Sequence, residues 1–191
     1  MPNQYVFNDN DQPVYVEITN TFQAPVIAAP PEMNASQQTV LFSAAASNSA
    51  VSILGTTVNI SVRINNTAGS GRTLYVSRMS SSIGGTALLT NITGTFTIVK
   101  GGTLTSPSSI TPVNNNLASP AVSVMTVQSS ASAISGGTIL YNYQLEPGMF
   151  AQDFTGSLIV PPGNALSINA SCTTTVAGTI VSAVNVAWWE S

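Results

Sequence analysis

The sequence has 191 residues and a formal net charge of −3, and only 6% of its residues are charged, against roughly 25% in an average soluble protein. Its basic residues, Arg63, Arg72, Arg78 and Lys100, are too few and too scattered to neutralise a row of phosphates, which argues against nucleic acid as a partner. The absence of histidine removes the commonest general base and the commonest transition-metal ligand together.

Solubility must then rest on Ser, Thr, Asn and Gln. These residues compete with helical backbone hydrogen bonds or favour strands, so the composition predicts an all-β fold. With so little net charge, repulsion does little to keep copies apart, and self-association costs little electrostatically. No apolar run approaches the ~18 residues that span a bilayer, so no membrane insertion is expected. The start, Met1-Pro-Asn-Gln-Tyr-Val-Phe-Asn-Asp9, lacks the basic segment and apolar core of a signal peptide. Either a signal has already been removed or the chain is made in the cytoplasm; the initiating Met1 favours the second, with exposure following lysis or assembly into a particle or spore coat.

In chain order, residues 1–19 read as an N-terminal arm. Within it Val14, Val16 and Ile18 alternate with Tyr15, Glu17 and Thr19, the pattern of one half-buried strand. Asn8-Asp-Asn-Asp11 before it is a turn by composition, and Pro13 stops the strand from running backwards. Asp9 and Asp11 lack the glycine and later Glu of a calcium loop, and no metal is expected there. Residues 20–38 hold Pro25, Pro30 and Pro31 with no strand alternation and read as an extended, semi-stiff Pro/Ala-rich linker.

Residues 39–191 are predicted to form one β-sandwich domain. Its clearest strand is Val58-Asn-Ile-Ser-Val-Arg-Ile-Asn65, four apolar positions facing four polar ones. Further strands are expected over Thr39–Phe42, Thr73–Met79, Thr95–Lys100, Val122–Val127, Ile139–Leu145, Phe154–Val160, Leu166–Cys172 and Ile180–Trp189. Turn signals separate them, among them Gly84-Gly85, Gly101-Gly102, Asn114-Asn-Asn116, Gly136-Gly137 and Pro161-Pro-Gly163. Many strands without intervening helices point to a two-sheet sandwich, and the jelly roll, with eight core strands, suits this size best. An immunoglobulin-like sandwich is the alternative, without the paired cysteines and buried Trp of antibody domains.

The lone Cys172 shares a strand face with Leu166, Ile168 and Ala170 and is expected to be an inert buried thiol rather than an intermolecular bridge. Trp188 and Trp189 must point to opposite faces, one to the core and one, assigned to Trp189, to an interface. Tyr141 and Tyr143 share a strand face, and aromatic residues on a sandwich can stack on sugars, but subunit contact is the favoured reading. Glu146 and Asp153 form the one glycosidase-like carboxylate pair worth weighing, and Leu145-Glu-Pro-Gly-Met149 reads more simply as a strand ending in a turn. Lys100, the only lysine, precedes Gly101-Gly102 and reads as a solvated hairpin tip rather than as the base of a Ser–Lys pair. Neither catalysis nor a cofactor is expected.

The order Gly94-Thr-Phe-Thr-Ile98, Ile110-Thr-Pro-Val-Asn-Asn-Asn116, Phe154-Thr-Gly-Ser-Leu-Ile-Val-Pro-Pro-Gly163 and Val184-Asn-Val-Ala-Trp-Trp-Glu190 resembles jelly-roll subunits of bacterial endospore appendage fibres and of phage virion fibre or decoration proteins. The likeness covers roughly residues 55–190. It implies oligomeric assembly and, in the appendage fibres, an N-terminal extension that docks into the adjoining subunit. Appendage subunits are often linked through paired cysteines in that extension; this extension has none, so the linkage implied here is non-covalent.

The expected function is therefore that of a structural subunit, polymerising with itself through N-terminal strand exchange on a spore surface, extracellular fibre or virion. Val14, Tyr15, Val16, Ile18 and Trp189 are the expected interface residues. The alternative is a phage decoration or receptor-binding module, whose partner would be a glycan or a surface anchor protein.

Overall fold

The structure, a computed structural model, describes residues 5–6, 14–15, 31–52, 56–86 and 92–191. Eight long strands build the body: β3 (Leu41–Ser52), β4 (Thr57–Asn66), β5 (Leu74–Gly85), β6 (Ile92–Lys100), β10 (Thr138–Leu145), β11 (Gly148–Val160), β12 (Asn164–Thr174) and β13 (Gly178–Glu190). They pair from the outside of the sequence inwards, β3 with β13, β4 with β12, β5 with β11 and β6 with β10, all antiparallel. Rolled up, these nested pairs give two sheets with orders β11-β5-β13-β3 and β10-β6-β12-β4, the jelly-roll arrangement.

Period-two alternation builds the core between the sheets. On β4, Val58, Ile60, Val62 and Ile64 face inward while Asn59, Arg63 and Asn65 face out; on the neighbouring β12, Leu166, Ile168, Ala170 and Cys172 stand beside them on the same inward face and are almost fully buried. From the other sheet Leu74, Val76, Met79, Ile180, Val184, Val186 and Trp188 complete the cluster.

Between β6 and β10 the chain makes an insertion, residues 101–137, containing the short strands β7 (Ser108–Ile110), β8 (Val113–Asn114) and β9 (Thr126–Ser130). β8 extends one sheet beside β3, and β9 followed by β7 extends the other beside β4. The insertion also crosses the outer face of the β4–β12 region. There Arg63 Nε donates to the Gly102 carbonyl at 3.0 Å, Ser61 Oγ to that of Ser132 at 2.7 Å and Ser167 Oγ to that of Gly101 at 2.6 Å. Outward-facing polar residues are thereby buried without losing their hydrogen bonds.

The carboxylate of Glu190, only 3% exposed, ties the insertion to β13. It accepts from the Trp188 indole Nε1 at 3.0 Å, from the Val124 backbone N at 3.1 Å and from Ser123 Oγ at 2.5 Å.

The strand expected over Val122–Val127 begins only at Thr126, in β9, and two further segments depart from the sequence expectation. Residues 31–37, read as part of an extended linker, form the helix α1 (Pro31–Gln37). Pro31 suits the first helical position, Glu32 complements the dipole, and Ala35 is buried. The helix ends on a Schellman turn, with Val40 N bonded to the Ala35 carbonyl, Thr39 N to that of Ser36, and Thr39 at φ 59° in the place usually taken by glycine. Among the described residues no helix is long and apolar enough to cross a membrane. Second, β3 continues well past Phe42 through Ala44-Ala-Ala-Ser-Asn-Ser-Ala50, residues of poor strand propensity. Its pairing with β13, unbroken from Trp189↔Leu41 to Gly178↔Ser52, supplies what local sequence does not.

Two outcomes are expected. Glu190→Ala strands the Trp188 and Val124 N–H groups and should cost about 2–4 kcal/mol in urea unfolding. It should also open residues 117–124 to protease, while Glu190→Gln, which keeps one oxygen for Trp188 and Ser123 but sets an amide N–H against that of Val124, should give an intermediate loss of both. Burial pushes the Cys172 thiol up from 9.0 to about 11. The folded thiol thus stays neutral where the unfolded one ionises, so stability is level below about pH 9 and declines as pH rises from 9 towards 11. Native protein should not react with a thiol reagent at pH 8, and denatured protein should release one thiol per chain.

Candidate functional site

The two sides of the sandwich are treated differently. On the β3–β4 side the insertion adds β8, β9 and β7, of 2, 5 and 3 residues, and closes with short strands. On the other side β10 and β11 end their sheets, and no described strand lies beyond them. A sheet edge presents unpaired N–H and C=O groups, and proteins normally blunt it with charge, proline, bulges or brevity.

β11 is blunted in this way. Its pairing passes from Asp153↔Arg78 directly to Leu158↔Val76, so residues 154–157 bulge out against Ser77 alone. Thr155 (φ 47°) and Gly156 (φ 85°) make the bulge, and Gly156 is required: a Cβ there would stand 2.5 Å from the Trp189 ring. The exposed Arg78–Asp153 ion pair adds charge to the same edge.

β10 is less protected, its one irregularity being a single-residue bulge. Thr138-Ile-Leu-Tyr-Asn-Tyr-Gln-Leu145 carries no charge and no proline over eight residues. A one-residue bulge at Leu140, where the register passes from Ile139↔Val99 to Tyr141↔Ile98, turns that side chain towards the seam between the sheets. Leu140 there lines a cleft of about 460 Å³ with Leu158, Ile159, Val160 and Leu166, rimmed by Lys100 and Asn164. Beside it the seam is plugged by aromatic rings, with Tyr143 and Phe150 centroids 4.9 Å apart and Tyr141 and Phe154 5.7 Å apart. Ile139 (63% exposed), Leu140 (40%) and Tyr141 (43%) leave this edge apolar at its surface.

A second, polar cleft of about 480 Å³ lies at the Ser77 bulge, lined by Glu32, Ser77, Arg78, Asn115, Asp153 and Thr155 among others. Ser77 Oγ donates to Glu32 Oε1 at 3.3 Å, and Asp153 holds the Arg78 guanidinium firmly protonated. Asp153 is thus engaged by Arg78, and Glu146 stands exposed at the β10–β11 turn.

The sequence-predicted interface residues fall in different places. Val14 and Tyr15 form β2 (Val14–Tyr15), paired antiparallel with β1 (Tyr5–Val6) in a small sheet separate from both sheets of the sandwich. Val16 and Ile18 lie outside the described residues. Trp189, expected at an interface, is half-buried and stacked on Tyr75 at 5.7 Å and 9°, while Trp188 is fully buried against Phe42. The residues missed, Ile139, Leu140, Met149 and Ile159, lie on segments read as strands or strand ends. Only the three-dimensional order of strands reveals that β10 and β11 are edges.

No known family model matches this chain, and no curated protein sequence does either.

If the open edge contributes nothing to the fold itself, Ile139→Lys should leave the urea unfolding free energy within about 0.5 kcal/mol of the parent. Phe96→Ala, in the fully buried cluster behind that edge, should cost about 3–5 kcal/mol.

Proposed function

We propose that this protein is a non-enzymatic structural subunit that assembles with copies of itself into a fibre or particle-surface structure, such as a spore-surface or extracellular fibre or a virion component. The N-terminal segment of one copy adds a strand to the sheet of the next. The observation that carries this reading is the asymmetry of the sandwich: one side is closed by a dedicated insertion, and the other leaves an uncharged, apolar edge strand open. A monomer with no use for that edge would be expected to blunt both sides.

Strand addition also suits the composition. Main-chain hydrogen bonds supply affinity without charged side chains, and apolar positions at alternate residues supply specificity. Burying Val14, Val16 and Ile18 contributes about 5–9 kcal/mol before the cost of ordering the arm.

The second reading, a decoration or receptor-binding module, is favoured by the polar cleft at Ser77. It gathers three of the chain's charged residues, Glu32, Arg78 and Asp153, beside Asn115, a set suited to sugar hydroxyls.

Negative-stain microscopy separates the two. The full chain is expected to form filaments or shells. A chain lacking residues 1–24, whose sandwich strands all begin at Leu41 or later, is expected to keep the parent circular dichroism spectrum and to remain unassembled. A full chain that stays monomeric while binding a glycan array overturns the structural reading, and polymers unchanged by the deletion overturn strand exchange.

A further inference from the structure

Resting on that reading, we infer that β10 is the acceptor, and that the segment Val14–Ile18 of a neighbouring copy runs along its free edge with alternate side chains entering the cleft formed by Leu140, Leu158, Ile159, Val160 and Leu166. Three observations converge on this pairing.

The first is the difference between the two open edges. An incoming strand must approach closely over several residues. β11 prevents this with the bulge at residues 154–157 and the Arg78–Asp153 pair, whereas β10 offers an uncharged edge.

The second is complementarity. A strand added beyond β10 has one face over the seam between the sheets and one in solvent. The outer surface at β10 is polar, with Thr97 Oγ1 donating to Asn142 Oδ1 at 2.9 Å, while the seam side is the apolar cleft. The arm carries the matching pattern, with Val14, Val16 and Ile18 for the cleft and Tyr15, Glu17 and Thr19 for solvent. Charge agrees as well: residues 1–30 contain Asp9, Asp11 and Glu17 and no Lys or Arg, and the one lysine of the chain, Lys100, stands exposed at the rim of the cleft.

The third concerns which copy is served. In the single chain the arm strand Val14–Tyr15 pairs with Tyr5–Val6 and joins neither sheet, although no described strand lies beyond β10. If extended at about 3.1 Å each, residues 19–30 would reach about 35–40 Å from Pro31, roughly the diameter of a body of this size. That is enough to place the arm on an adjoining molecule.

The test uses the full chain carrying Val16→Cys with Leu140→Cys, treated with a short bismaleimide; native Cys172 is buried and stays silent. A denaturing-gel ladder of dimers, trimers and higher species is expected, with nothing beyond dimer from either single variant. Val16→Cys with Met149→Cys probes β11 in the same way and is expected to give no ladder. Leu140→Lys, which leaves the arm intact, is expected to abolish filaments while preserving the circular dichroism spectrum.

A ladder from the Met149 pair but not the Leu140 pair overturns the choice of β10, and an internally cross-linked monomer overturns exchange between copies. Filaments in the microscope that yield no ladder from either pair overturn the acceptor and leave the assembly reading standing. Absence of both filaments and ladder overturns the two together.

Discussion

The structure depends above all on strand β13. It lies in the middle of its sheet, in register with β3 over twelve residues on one side and with β5 on the other, so both ends of the body are fixed by one strand near the C-terminal end of the sequence. Its inward face delivers Ile180, Val184, Val186 and Trp188 to the core. Its last residue in the sheet, Glu190, supplies a buried carboxylate whose acceptors are filled by Trp188, Ser123 and Val124. Burying a charge is unfavourable unless it is fully hydrogen-bonded. Those three donors offset the cost and in the same stroke position the insertion. Closing the β3–β4 side is therefore coupled to completing the core.

The near-absence of charge shapes the rest of the surface. Where most proteins keep a sheet face solvated with Lys and Glu, this one covers part of its outer face with the insertion and satisfies Ser61, Ser167 and Asn169 internally, the last donating to Ser61 Oγ at 2.9 Å. The few charges that remain are spent at specific places. Arg78 and Asp153 guard β11, Glu190 anchors the insertion, and Arg63 holds the Gly102 carbonyl. β10 itself carries none, and the nearest is Lys100, paired with its first residue Thr138.

Much of the sandwich was legible because alternation is a local signal. Val58–Asn65 and Leu166–Cys172 each show it without interruption, and both strands, with Cys172 on the buried face, stand where the pattern puts them. β3 was only half legible, since its Ala/Ser run acquires strand geometry from β13 rather than from its own propensities. α1 was hidden by the prolines around it, its first residue Pro31 being as compatible with a helix start as with an extended linker, and its C-terminal turn being made by Thr39 rather than by a glycine. Trp189 was assigned outward correctly as to face. What covers that face, Tyr75 across the strand and Gly156 across the bulge, depends on contacts between residues more than thirty positions apart. The open edge was least legible of all, because being an edge is a property of strand order and not of any strand's composition.

The difference between the two sides has a consequence for the geometry of assembly. The proposed contact between an arm and a neighbour's edge would join two different surfaces and so be heterologous, leaving each copy that accepts an arm with its own still to donate. Such contacts close into a ring or continue as a filament according to the rotation between copies, and nothing in them limits the number of subunits. A twofold pairing of β10 with β10 would instead consume both open edges and stop at a dimer. It would also set the same Tyr–Asn–Tyr–Gln pattern against itself, leaving the Leu140 cleft without an apolar strand to fill it. The cleft is what favours the open-ended alternative, since an edge meant only for its own twin has no need of a groove behind it.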